Sequence, residues 1–122
     1  MFRKVLHDIL QRTDGCLGVL IMGFDGIPVE EIWRDEVPDP DLEITVAECS
    51  SLVVAASRAN RGGKLGRLTE MTISGESKAF IVRLMSKEYF VAMILRSDGS
   101  FGRGRYELMR ASMILEPQFV RL

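Results

Sequence analysis

The sequence is poor in what metal sites and catalytic centres are usually built from. It holds two cysteines, one histidine and one tryptophan in 122 residues. Cys16 and Cys49 form no CxxC pair, and His7 stands far from both, so the clustered ligands of a metal site are missing. Two isolated thiols make no disulfide framework; both read as small buried apolar residues in a reducing compartment. An excess of one charge is lacking too. Sixteen basic and seventeen acidic side chains leave a formal net charge of −1, which gives no electrostatic footprint for nucleic acid or an anionic membrane. No apolar run approaches the ~20 residues that cross a bilayer. The opening MFRKVLHDIL mixes charge among its apolar positions, unlike a signal-peptide core. A soluble, cytoplasmic protein is expected.

Nucleophile and acid–base sets are absent as well. No serine or cysteine has a recognisable base partner. Glu30, Glu31 and Glu48 are scattered carboxylates without a second group at a useful spacing. His7 lies with Lys4, Asp8 and Gln11 on the polar side of the first helix, where exposure is the default. The chain therefore reads as a non-enzyme with no cofactor and no metal.

What is present is a core. A hydrophobic share of 47% and a charged share of 27% suit one packed domain over residues 1–122. Phe2, Val5, Leu6, Ile9 and Leu10 recur at helical spacing, predicting a helix over 2–12, stopped by Thr13-Asp14-Gly15. Cys16 to Phe24 is a nearly unbroken apolar run, as in a strand buried on both faces. Asp25-Gly26 is a two-residue hairpin signal. The return strand, Ile27–Trp33, carries Pro28, which cannot donate to a ladder and so marks a sheet edge or the start of the strand. After an acidic, proline-containing link over 34–41, a long helix should run from about Leu42 to Asn60 with Asp41 as N-cap. Three strands follow, Leu68–Ser74, Ala79–Met85 and Tyr89–Leu95. A last helix from Phe101 ends near Glu116, before Pro117. The order α-β-β-α-β-β-β-α fits an α+β fold: a five-stranded antiparallel sheet with helices on both faces.

The middle helix is apolar on two sides. Leu42, Val46, Cys49, Leu52, Val53 and Ala56 form the stripe expected on the sheet. Opposite lie Ile44, Ala47, Ser51, Val54 and Ala55, flanked by Glu48 and Arg58. A second apolar face needs a partner, and a two-fold axis through one patch makes a second copy the simplest one.

This pattern resembles the Roadblock/dynein light chain domain family. The resemblance rests on the first helix with Thr13-Asp14-Gly15, the strand ending in Asp25-Gly26-Ile27-Pro28, the small-residue middle helix, and Gly102-Arg103-Gly104-Arg105-Tyr106-Glu107-Leu108 opening the last helix. It covers nearly the whole chain. It implies a Roadblock/profilin-like fold and a homodimer in which middle helices pack side by side and third strands pair, here Leu68–Ser74 with Leu68, Met71 and Ile73. The lack of proline in that strand agrees. Members include bacterial regulators of Ras-like GTPases. The resemblance therefore implies a GTPase partner on the paired helices, touching Glu43, Glu48, Ser51 and Arg58. Two alternatives stand beside it: a small-ligand sensor of the PAS or profilin-like kind, and a self-assembling scaffold with no GTPase.

Other motifs read blandly. Gly62-Gly63-Lys64-Leu65-Gly66 lacks the phosphate-loop spacing and precedes a strand. Arg103 and Arg105 resemble an anion clamp or arginine finger but sit at the unfavourable end of a helix dipole, which suits intramolecular ion pairs. Trp33 is either a partner anchor or packing over the first or last helix.

Overall fold

The structure, a computed structural model, describes residues 1–35 and 38–120. Glu36 and Val37, within the acidic link, lie outside the described residues. Eight elements follow in the expected order: α1 (Phe2–Arg12), β1 (Cys16–Gly23), β2 (Pro28–Trp33), α2 (Pro40–Ala59), β3 (Glu70–Ser74), β4 (Lys78–Leu84), β5 (Tyr89–Arg96) and α3 (Phe101–Val120). The strands form one antiparallel sheet in the order β2-β1-β5-β4-β3. The longest apolar runs occupy the middle, and β2 with its Pro28 lies at one edge, as the sequence implied. β3 is the other edge.

The sheet has an apolar core on each face. On one, α1 and α3 cover Val19, Ile21, Ile81, Val91 and Met93, adding Leu6, Ile9, Leu108 and Leu115. On the other, α2 sets Val46 and Val53 against Leu20, Phe80, Val82, Phe90 and Ile94. Side chains alternate between faces along a strand, so strands covered on both sides read as continuous apolar runs.

Several expectations need correction. The β1–β2 connection is not a two-residue turn. Asp25 keeps a negative φ, which a type I′ turn does not allow. Instead the Gly26 N–H donates to the Gly23 carbonyl (3.0 Å) and the Gly23 N–H to that of Ile27 (3.1 Å). Gly26, at φ +85°, takes the left-handed position that closes a three-residue loop.

α2 starts earlier than expected, and its N-cap is Asp39 rather than Asp41. The Asp39 carboxylate accepts from the Asp41 N–H at 2.9 Å. Pro40 then opens the helix, where its missing N–H would have no intrahelical partner anyway. Leu52, expected on the sheet, is 56% exposed; the inward position belongs to Ser50, one turn from both Val46 and Val53. Cys16 is buried but Cys49 only half so.

α3 passes through Pro117 to Val120 instead of stopping before it. The proline removes one rung of the ladder. Continuing buries Phe119, whose ring lies 4.6 Å from that of Tyr89 and 5.2 Å from that of Phe2. Residue 68 precedes β3, whose span begins at Glu70.

The arginines at the start of α3 are internally paired. Glu107, wholly buried, gathers Arg103 at 2.9 Å, Arg110 at 3.2 Å and Arg12 at 3.7 Å, which ties the end of α1 to α3. Arg105 makes a two-pronged contact with Glu70 of β3, geometry that suits a guanidinium and a carboxylate.

Candidate docking surfaces around the middle helix

α2 carries apolar side chains that its own fold leaves uncovered, as α3 also does at Phe101, Tyr106, Met113 and Ile114. One helix rides on this face of the sheet, and only Val46, Ser50 and Val53 of it are buried. Ile44 and Leu52 are each 56% exposed, and Ala47, Glu48, Ser51, Ala55 and Arg58 are exposed with them. Large apolar side chains left on one helix in this way usually mark a contact surface.

The two flanks of α2 differ. On the side of the β1–β2 hairpin a trough of about 630 Å³ opens, with Ala47, Ser51, Val54 and Ala55 on its helical wall. On the other side Thr45 and Cys49 face Ile73 and Lys78 of the β3–β4 end. Leu52, Ala56 and Ala59 continue that second row, at alternating steps of four and three residues from Thr45. Such steps make a straight seam along a helix.

The structure therefore separates the residues that the sequence grouped as one dimer contact. Ala47, Ser51, Val54 and Ala55 lie toward β2. Leu68, Met71 and Ile73 lie toward β3, partly buried against the α2-side core. Ile44 stands on the outward crest between the two. Of the residues assigned to a GTPase contact, Glu43, Ser51 and Arg58 line the trough, while Glu48 does not. Both flanks carry small residues, and only the strand order shows which one faces β3 and which one faces β2.

Trp33 is placed by a glycine. It pairs with Gly18 across the β1–β2 ladder, and a Cβ at Gly18 would come within 2.5 Å of its ring. The indole thus lies flat on β1, on the α2 side and not over α1 or α3 as one expectation had it, and it lines the trough. Its N–H and the Ser50 hydroxyl are buried without a partner among the described residues. A glycine inside an otherwise apolar strand was the available signal for this close approach.

The remaining chemistry is quiet. Burial pushes the Cys16 thiol up to about 12, against a smaller opposing effect of the Gly18 carbonyl contact and the Arg34 charge. Burial also raises Cys49, with the Glu48 charge adding to it. Neither is an activated nucleophile. His7 is exposed. The Gly62–Gly66 loop is closed by Asn60, whose side-chain amide donates to the Gly66 carbonyl at 2.6 Å. Among the described residues no cluster of metal-ligating side chains occurs, and no helix is long and apolar enough to cross a membrane.

A five-stranded antiparallel sheet with two helices on one face, a single under-covering helix on the other, and no metal-ligating cluster among the described residues is the Roadblock architecture. The Roadblock/LC7 domain model matches residues 3–95, and the chain belongs to that family. Among solved structures it is similar to MglC from Myxococcus xanthus, at 29% identity over 96% of this chain and 98% of that one, with a TM-score of 0.75. It shares its fold with a Roadblock/LC7 domain from Streptomyces avermitilis (17% identity, 96% of each chain, TM-score 0.78). The gliding protein MglB from Thermus thermophilus shares it too (19% identity, 94% of this chain and 85% of that one, TM-score 0.76). No curated protein matches the chain.

Proposed function

We propose that this chain is a non-catalytic interaction module that pairs with a second copy of itself and docks a Ras-like small GTPase on its α2 face. The observation that carries the reading is the under-covered α2, with Ile44 and Leu52 both 56% exposed beside the unpaired edge strand β3. In the dimer, β3 pairs with β3 of the second copy, and the Thr45–Cys49–Leu52–Ala56–Ala59 row packs on its own symmetry mate. This flank replaces the Ala47–Ser51–Val54–Ala55 side as the dimer contact, because a two-fold axis at the β3 edge cannot bring the β2-facing side of α2 to itself.

The GTPase part rests on family membership, since bacterial members include regulators of such GTPases. With the β3-facing flank taken by the dimer, Glu43, Ser51 and Arg58 stay accessible, with Glu48 at the border. Rim charges of this kind act mainly on association rate and salt dependence. Purified protein should sediment at twice the monomer mass. It should also retain a small GTPase from cell extract, loaded with GDP or GTP. Glu48→Lys combined with Arg58→Glu should weaken that capture while leaving the dimer intact. A monomer at high micromolar concentration refutes the pairing. Failure to retain any GTPase in either nucleotide state refutes the partner and leaves a self-assembling scaffold.

A further inference from the structure

A single helix does not cover a five-stranded sheet, and α2 leaves open the part of its face formed by β1 and β2. The trough there encloses about 630 Å³, and its helical wall runs from Glu43 to Arg58. At 1.5 Å per residue that wall is about 22 Å long. A compact ligand does not fill such a length; an extended chain of about six or seven residues does.

Two residues that line the trough hold buried polar atoms without hydrogen-bond partners among the described residues: Trp33, at its indole N–H, and Ser50, only 5% exposed, at its hydroxyl. Buried polar groups are ordinarily satisfied, and an indole N–H only donates. Its missing partner is an acceptor, and a peptide carbonyl is one that brings no negative charge. Charge then selects the rest. Glu31 on β2 and Glu43 on α2 stand on opposite walls, while Arg58 is the sole basic residue lining the trough. Neither glutamate makes an ion pair among the described residues. The floor between them is apolar, made by Met22, Val46 and the Trp33 ring.

We propose that this trough binds an extended segment of a partner protein, with apolar side chains along the floor and a lysine or arginine between Glu31 and Glu43. A backbone carbonyl of the segment accepts from Trp33, and a second polar group meets Ser50. The inference rests on the reading of α2 as a docking face and gives the chemistry of what docks there.

Trp33 is the chain's single tryptophan, so its emission reports occupancy without a label. The probe is a positional-scanning set of acetylated, amidated heptapeptides built on alternating valine, titrated into the full-length protein. Pools with lysine or arginine at one terminal position should shift Trp33 emission at concentrations several-fold below those needed with glutamate there. Glu31→Gln combined with Glu43→Gln should weaken the best pool about tenfold. Ser50→Ala should weaken it several-fold at unchanged sedimentation mass. The proposal is overturned if no pool moves the emission, if acidic pools bind as well as basic ones, or if the double glutamine variant binds undiminished. GTPase capture by the wild type with no peptide response sinks the trough and spares the docking reading. Peptide binding with no GTPase captured does the reverse.

Discussion

The two faces of the sheet are made from the same strands and finished differently. On the α1/α3 face two helices share the work, the Phe2–Phe119–Tyr89 rings close the end, and Glu107 locks the helices together with three guanidiniums. On the other face α2 is alone. Its apolar surplus points to solvent at Ile44 and Leu52, and a trough stays open beside it. Both faces present apolar side chains, so the difference is one of coverage. The α1/α3 face of the sheet itself is sealed, although α3 leaves Met113 and Ile114 to solvent on its own outer side, and the open face of the sheet keeps apolar and charged groups available for another surface.

Substitutions of equal chemistry on the two faces sharpen this contrast. Leu108 is 1% exposed among the helices of the closed face. Leu108→Ala should lower the unfolding free energy by about 2–5 kcal/mol, through lost transfer energy and the cavity left behind. Urea titration at constant slope measures it. Leu52 lies on the open face, and Leu52→Arg should leave the protein folded but weaken self-association by about 2 kcal/mol or more, as expected of a central interface anchor. Like charges meeting across the axis add to the effect. Sedimentation should show the monomer mass, whereas Ala47→Arg on the trough side should stay dimeric. A dimer that survives the first change and fails with the second would reverse the assignment of flanks.

A smaller effect separates the two readings of where α2 begins. Asp39→Ala should destabilise by about 1 kcal/mol, the usual value of an N-cap, and Asp41→Ala by less. Thermal unfolding of the two variants side by side decides it. The sequence placed the helix but not its first turn, because Asp39 and Asp41 are both acceptable caps and Pro40 reads equally as loop or as first helical residue. Most of the fold was legible for a plain reason: strands buried on both faces, a proline at one edge and a helix with 3.6-residue periodicity are local patterns. The long-range features were not. Whether Pro117 ends α3 depends on Phe119 finding Phe2 and Tyr89. Whether Ala47 or Leu52 faces β3 depends on the strand order. Whether Trp33 anchors a partner or packs internally depends on Gly18 lying beneath it. The second apolar face of α2 was visible in sequence, and which edge strand each of its flanks faces was not.

The smallest predicted effect concerns β3, an edge strand tied to helices on both sides of the sheet. Met71 and Ile73 hold it to the α2 side, and Glu70 holds it to α3 through Arg105, with Arg83 at 3.8 Å. The hydrogen bonds from Arg105 are the main reason the Glu70 carboxyl sits below its ordinary value of 4.5. The Arg105 and Arg83 charges act in the same sense, and partial burial opposes them. A carboxyl lowered in the folded state is more readily deprotonated there than in the unfolded chain, so the unfolded chain binds more protons in this range and stability rises with pH. The contribution is complete above about pH 4.5. It fades as pH falls through the lowered folded value. Glu70→Gln lacks the charge at every pH. The variant should therefore melt slightly below wild type at pH 7, by less than the Asp39 variant does, since exposed ion pairs contribute little. The gap should narrow as the pH falls through the lowered folded value, and 1 M salt at pH 7 should narrow it too. A gap that neither shrinks as the pH is lowered nor responds to salt would mean that Glu70 holds the edge strand by packing and not by charge.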